Sequence, residues 1–399
     1  MTLPRVSIIK CSDYNEAEVF RALNAAIDSI GGIGRFVNKS SNKVFLKPNL
    51  GMVSSAQRAA STHPVIIKAL GRMIKQTGAE VIVGDSPSGP YKADALKAAY
   101  KKSGLEDIAL EAGIRLNYDL SFEEVFYPEG ILIKKFNILK PILEADTLVS
   151  VPKLKTHVFM GLTGAVKNLF GVIPGLIKRG YHLRFQDADK FADMLLDIYS
   201  YLQPGLVVVD GIIGMEGDGP SWGNPRRLGL ILVSDNCLAA DMVLGYIMGF
   251  GPYQIPILEN ARKRKMLPLD IEHIDFKGIS LKEAKIKEFV LPCFIRNQNQ
   301  LKRMPEFARK CLRHYLSIKI SVNITRCTGC GICRMLCPVM AIQIRNQKSQ
   351  SKARINWQSC IRCYCCYEMC PQGAITLKRR FTYKIASRFN RTSRCKGRW

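Results

Sequence analysis

The chain has 399 residues, 47% of them hydrophobic, with 59 Lys and Arg against 33 Asp and Glu, and 14 Cys. That apolar share is enough for a packed core and excludes wholesale disorder, and no uninterrupted run reaches the roughly 18 apolar residues of a membrane-crossing helix. The opening residues Met1 to Lys10 lack a secretory apolar stretch, so the expected location is cytoplasmic, where cysteines serve more often as metal ligands or redox groups than as disulfides.

Up to about residue 275, short apolar runs alternate with amphipathic stretches. Residues 6–9, 44–46, 81–83, 147–151, 206–209 and 228–233 read as strands, several apolar throughout and therefore buried on both faces. Between them, residues 16–30, 65–75, 93–103 and 188–201 carry apolar side chains at helical spacing. Strands alternating with helices predict an α/β fold: a mostly parallel sheet with flanking helices. In such sheets ligands gather beyond the carboxyl ends of the strands. Four of these ends carry polar groups: Lys47-Pro48-Asn49, Asp85-Ser86, Lys153 to His157, and Asp210. Lys153, Lys155, His157 and Lys167 offer positive charge, and Thr163-Gly164 is expected to open a helix with free backbone amides, a combination suited to a carboxylate or phosphate. Surface lysines in solvent and glycines that merely shape turns are the alternative. Asp210, Glu216 and Asp218 in a glycine-rich stretch read either as a divalent-cation or proton site or as an exposed turn. His63, before Pro64, is expected at a helix N-terminus rather than as a ligand.

Charge and cysteine then change together. Residues 276–399 hold 27 Lys and Arg, 4 Asp and Glu, and 12 of the 14 Cys, leaving only Cys11 and Cys237 before them. Residues 327–375 are an internal repeat: Cys327, Cys330, Cys333 and Cys337 recur 33 positions later as Cys360, Cys363, Cys366 and Cys370, each set followed by Pro. Two copies of C-x2-C-x2-C-x3-C-P resemble the bacterial two-cluster ferredoxin module. In that pattern three thiolates of one copy and the fourth of the other hold each [4Fe–4S] cluster. The expected ligand sets are Cys327, Cys330, Cys333 and Cys370 for one cluster, and Cys360, Cys363, Cys366 and Cys337 for the other. Zinc sites usually need two C-x2-C pairs across a longer loop, which is not the spacing here. Cys365 reads as an inert extra thiol.

The segments Lys47-Pro48-Asn49, Gly84-Asp85-Ser86-Pro87, Val151 to His157, Thr163 to Asn168, Asp210-Gly211, Gly217 to Pro220 and Asp235 to Asp241 resemble the family called DUF362, over nearly all of residues 5–290. Asp235-Asn236 stands where that family usually has Asp-Pro. Members often carry a ferredoxin module. The resemblance implies that these segments form one site, but it names no reaction. The expected organisation is a DUF362-like α/β domain over 1–290, a basic amphipathic connector over 291–319, a small α+β two-cluster ferredoxin-like domain over 320–377, and a basic tail over 378–399.

The function expected from these parts is a ferredoxin-linked oxidoreductase. Electrons pass through two [4Fe–4S] clusters to an anionic small molecule held by Lys47, Asn49, Asp85, Ser86, Lys153, Lys155, Lys167 and Asn168, with His157 or Asp210 handling protons. A substrate reduction normally needs two electrons, and no flavin or nicotinamide motif is visible. Either the two clusters each deliver one electron, or a cofactor such as a flavin binds without a recognisable motif. The alternative is a non-enzymatic electron carrier or cluster-delivery protein that uses the α/β domain as a docking platform. The nine basic residues of the tail suit an acidic redox partner or a peripheral membrane contact. Nucleic acid ranks last, since no recognised nucleic-acid fold accompanies the charge.

Overall fold

The computed structural model describes residues 3–37, 43–51, 58–266, 270–292, 318–347 and 350–378. The expected connector and basic tail lie outside the described residues except at their ends. Strand β1 (Arg5–Lys10) leads into α1 (Glu16–Ser29), where Asn15 caps the amides of Ala17 and Glu18 and a stripe from Val19 to Ile27 turns inward. Then come β2 (Lys43–Pro48), α2 (Pro64–Lys75), β3 (Glu80–Val83), α3 (Ala93–Ser103), α4 (Leu105–Ala112) and β4 (Arg115–Leu116). Helix α2 starts as expected: His63 Nδ1 accepts from Val65 N at 3.3 Å, and Pro64 fills the first position, where no amide is needed.

A separate hairpin, β5 (Phe122–Phe126) with β6 (Lys135–Leu139), precedes the short α5 (Lys140–Leu143). The chain re-enters the sheet as β7 (Thr147–Val151), β8 (Lys153–His157) and β9 (Gly161–Thr163). Helices α6 (Ala165–Asn168), α7 (Lys178–Arg184) and α8 (Ala188–Leu202) follow. After them come the long pair β10 (Leu206–Glu216) and β11 (Asn224–Ser234), then α9 (Cys237–Met248), α10 (Pro256–Lys263), β12 (Asp275–Gly278) and α11 (Leu281–Ala284).

The main sheet runs β12-β1-β11-β10-β7-β2-β3-β4, with β8 beside β10 and β9 beside β8. Its pairs are parallel except β1–β11, β10–β11 and β8–β9. The fold is therefore α/β with a mostly parallel mixed sheet. Alternate residues face opposite layers. Val207 and Val209 join the layer of α8 and α9, whereas Leu206 and Val208 join that of α1 and α2. Lys153 and Lys155 lie in extended chain on β8, and Asp210 to Glu216 continue β10 rather than turning, because an antiparallel partner, β11, supplies hydrogen bonds as far as Asn224.

The small domain reproduces its sequence repeat in space. Strand β13 (Lys319–Val322) pairs with β16 (Ile375–Lys378), and β14 (Ile342–Gln347) pairs with β15 (Gln350–Ile355). The first cysteine run ends in α12 (Ile332–Leu336) and the second in α13 (Cys365–Glu368). Asn323 N donates to Ala374 O at 2.6 Å, and Asn356 N donates to Ala341 O at 2.7 Å, so each copy closes on the other. Its core is continuous with the large domain: Ile320, Ile342 and Ile375 belong to the same buried cluster as Leu154, Phe159 and Leu195.

Candidate functional site

The cysteines fall into two cradles. One cradle is lined by Cys327, Cys330, Cys333 and Cys370, and a second by Cys337, Cys360, Cys363 and Cys366. Each thus gathers three thiols from one copy and the fourth from the other, because that fourth cysteine lies beyond the helical turn that its own run starts. The loops wrap tightly by placing Gly329, Gly331, Arg362 and Tyr364 in the left-handed region. Amides point at sulfur: Ala341 N lies 3.2 Å from Cys337 Sγ, and Ala374 N 3.2 Å from Cys370 Sγ. Among the described residues no three His, Cys, Asp or Glu side chains close on a single metal ion. In a cuboidal cluster each of the four thiolates binds a different iron. Burial pushes the Cys333 thiol up to about 11 and Cys366 well above the ordinary thiol range, so both need a cation beside them to ionise. Cys365 is not in either lining, and its Sγ points to Cys363 O.

Beyond the carboxyl ends of β2, β3 and β7, the polar side chains read from the sequence are buried together. Lys47 Nζ pairs with Asp85 Oδ1 at 2.8 Å and also meets Pro48 O and Asn168 Oδ1. Gly171 makes room for this pair, since a Cβ there would lie 2.1 Å from Asp85 Oδ1. Asn49 bridges onward, its Nδ2 donating to Asn168 Oδ1 at 3.1 Å and its Oδ1 accepting from Lys155 Nζ at 2.8 Å. Ser86 Oγ accepts from Gly175 N, and its carbonyl accepts from Lys178 Nζ. Lys153, two residues before Lys155 on β8, pairs with Asp210 Oδ2 at 2.8 Å. Tyr14 OH donates to Asp210 Oδ1 at 2.8 Å, and His63 N donates to Oδ2. Both Asp210 oxygens are therefore occupied inside the protein.

A surplus of positive charge remains. Among the described residues, Lys155, Lys167 and Lys178 have no carboxylate within salt-bridge distance, and burial depresses Lys155 and Lys178 to about 7. Lys167 Nζ lies over the rings of Phe170 at 4.9 Å and Phe191 at 5.9 Å. Facing Lys155 and Lys167 is Glu368 of α13, whose carboxyl burial pushes up to about 7 against the pull of both lysines. Its Oε1 lies 3.5 Å from His157 Nε2. His157 Nδ1 accepts from Phe159 N, so in the neutral ring, favoured by burial, the proton sits on Nε2, while Glu368 Oε1 is left buried without a hydrogen-bond partner among the described residues.

Two expectations are corrected. The amides opening α6 are not free for a ligand: Asp241, fully buried on α9, accepts from both Ala165 N and Val166 N. Gly164 permits that approach, because a Cβ there would lie 1.9 Å from Asp241 Oδ1. Nor do Asp210, Glu216 and Asp218 converge on a cation, since Asp210 belongs to Lys153 and Glu216 pairs with Arg226 at 2.7 Å. The sequence reading also missed Tyr14, Lys178, Asp241 and Glu368. Only Asp241, inside a family-like segment, carried any signal.

A family model described as a domain of unknown function, DUF362, matches residues 44–245, half of the chain, and a 4Fe-4S dicluster domain matches residues 326–374. The chain belongs to the DUF362 family. Lys47, Lys153, Lys155, Lys167 and Lys178, with Asp85 and Asp210, lie inside the DUF362 match, whereas Tyr14 precedes it and Glu368 belongs to the dicluster domain. A thylakoid-associated protein of Synechocystis sp. is 29% identical over 293 residues, covering 72% of this DUF362 chain and 87% of the relative. Among solved structures, the lactate racemase apoprotein from Thermoanaerobacterium thermosaccharolyticum aligns with TM-score 0.41 and 14% identity over 60% of this chain, which spans 57% of that chain's length. No helix among the described residues is long and apolar enough to cross a membrane.

Proposed function

We propose that this protein is an iron–sulfur oxidoreductase that passes electrons to an anionic substrate held in the α/β crevice by Lys155 and Lys167, with His157 Nε2–H as the proton donor. The carrying observation is the seam between the domains: Glu368, on the same helix as Cys366, stands 3.5 Å from His157 Nε2. A cradle cysteine and the crevice thus share one short helix. The seam is fixed on its other sides too. Arg179 Nη2 donates to Cys337 O at 3.0 Å, Tyr367 OH donates to Asp218 O, and Trp222 packs on Gly373. When bound, the clusters supply single electrons, and four-thiolate ligation leaves them no open position for substrate.

Binding falls to the lysines that no carboxylate neutralises. A carboxylate or phosphate entering beside Lys155 and Lys167 gains two charge-assisted contacts and offsets their mutual repulsion. Lys153 and Asp210 satisfy each other, so in this reading they hold β8 in place and leave the proton to His157. The test is a thermal-shift screen of anaerobically reconstituted protein with mono- and dicarboxylates and phosphate monoesters. Each hit is then mixed with dithionite-reduced protein and the clusters' optical signal is followed. The reading expects a hit that protects wild type, fails to protect Lys155→Met/Lys167→Ala, and reoxidises the clusters. Equal protection of both proteins, or hits that leave the clusters reduced, would refute it.

A further inference from the structure

The two cradles face different surroundings. Cys337, Cys360, Cys363 and Cys366 sit on the side of Arg179, Glu368 and the crevice. In the other cradle Cys330 is exposed, along with Thr328 of the same loop and Pro371 and Gln372 of its rim. The charge around that opening has one sign. Arg326 precedes Cys327 and Arg334 follows Cys333, both exposed, and Lys352 Nζ donates to Cys327 O at 2.6 Å. Across the described part of the small domain there are eight Lys and Arg and one acid, and that acid, Glu368, is turned inward to His157. Oxidised four-thiolate clusters contribute about −2 each, which leaves the face positive.

We propose that the Cys330 face is the docking site for a small acidic one-electron carrier protein, with Arg326 and Arg334 as its main charge contacts. Electrons then enter at the Cys330 cradle and leave toward the crevice through the Cys337 cradle. Each encounter oxidises the carrier by one electron and reduces this protein by one, and two encounters store the pair of electrons that a substrate reduction consumes. Charge complementarity of this kind mainly sets association rate and salt dependence, and an acidic partner is also the one that the positive field draws in. The order of the cradles rests on the function proposed above, whereas the docking face does not.

The probe is a small acidic [2Fe–2S] ferredoxin, titrated against reconstituted full-length protein, with a basic c-type cytochrome and anionic phosphatidylserine vesicles as comparisons. Wild type should bind the acidic probe, with affinity falling as salt rises. Arg326→Glu/Arg334→Glu should weaken binding and slow stopped-flow electron transfer by about tenfold or more, while Lys97→Glu/Lys101→Glu on α3 changes both by less than about twofold. If charge reversal lowers iron content, Arg326→Gln/Arg334→Gln replaces it, with about a threefold loss expected. Equal losses in the α3 variant, no loss in either pair, or tighter binding of the cytochrome overturns the proposal. Loss of vesicle binding alone assigns the face to a membrane and overturns it too. The crevice ligand's thermal shift should be unchanged in the arginine variants, which keeps failure of docking separate from failure of the proposed function.

Discussion

Replacing Asp210 by Asn tests whether the Lys153 pair is part of the scaffold or part of a ligand site. Both side chains are fully buried, with the ammonium 2.8 Å from Oδ2. The carboxylate accepts three hydrogen bonds, from Lys153 Nζ, Tyr14 OH and His63 N. An amide of the same shape can accept on one side only, and its NH2 would face an ammonium or another donor. Leaving one member of a buried ion pair uncompensated costs about 3–5 kcal/mol. At about 2–4 °C per kcal/mol for a domain of this size, the melting temperature should fall by about 6–20 °C. Burial already depresses Lys153, and losing Asp210 removes the attraction opposing that shift. The variant should therefore regain stability as pH rises toward the lysine's ordinary range, where the unfolded chain also sheds the proton. Thermal and urea unfolding of Asp210→Asn, Lys153→Met and the double variant closes the cycle, and the double should be more stable than Asp210→Asn alone. A coupling below about 1 kcal/mol would place the pair among weak surface contacts and refute the reasoning.

Lys167→Ala should behave in the opposite way: unchanged or slightly higher stability, with the ligand-induced thermal shift lost, because its ammonium has no carboxylate partner to forfeit. Ligand affinity should also depend on pH. Lys155 and Lys178 are depressed to about 7 from an ordinary 10.5, and for Lys155 the ammonium form that the anion needs declines above neutrality. The thermal shift should be larger at pH 6.5 than at 8.5, while stability without ligand gains from the same groups as pH rises from about 7 to 10.5. A shift that is constant or grows with pH counts against lysine capture. Reconstituted protein should hold about eight iron and eight sulfide per chain, and Cys370→Ala should cost the cluster of the Cys330 cradle, seen as a drop toward about four iron. Cys365→Ser should leave the iron count unchanged.

The cysteine ligands were legible because their geometry is local. Two residues between thiols make a loop tight enough to face one cube, and the offset of 33 exposed the repeat that crosses the fourth ligand. The strands were legible for a similar reason, since a run apolar on both faces has few places to go except the middle of a covered sheet. Lys47, Asp85, Lys153, Lys155 and Asp210 could be singled out as polar residues ending such runs. Which lysine belongs to which acid could not be read, because nothing in spacing tells Lys153 that its partner lies 57 residues on, or Lys155 that it has none.

The amphipathic patterns and the repeated cysteine spacing thus determined, from sequence alone, an α/β domain followed by a two-cradle module, since these depend on periodicity and short loops. Tertiary structure alone decided that Asp241 takes the helix amides expected to bind a ligand, across 76 residues, and that Glu368 meets His157 at the domain seam. The physical reason is that charge compensation in a buried site is settled by distance in space. Five buried lysines look alike in a sequence, and only packing leaves some of them without an anion.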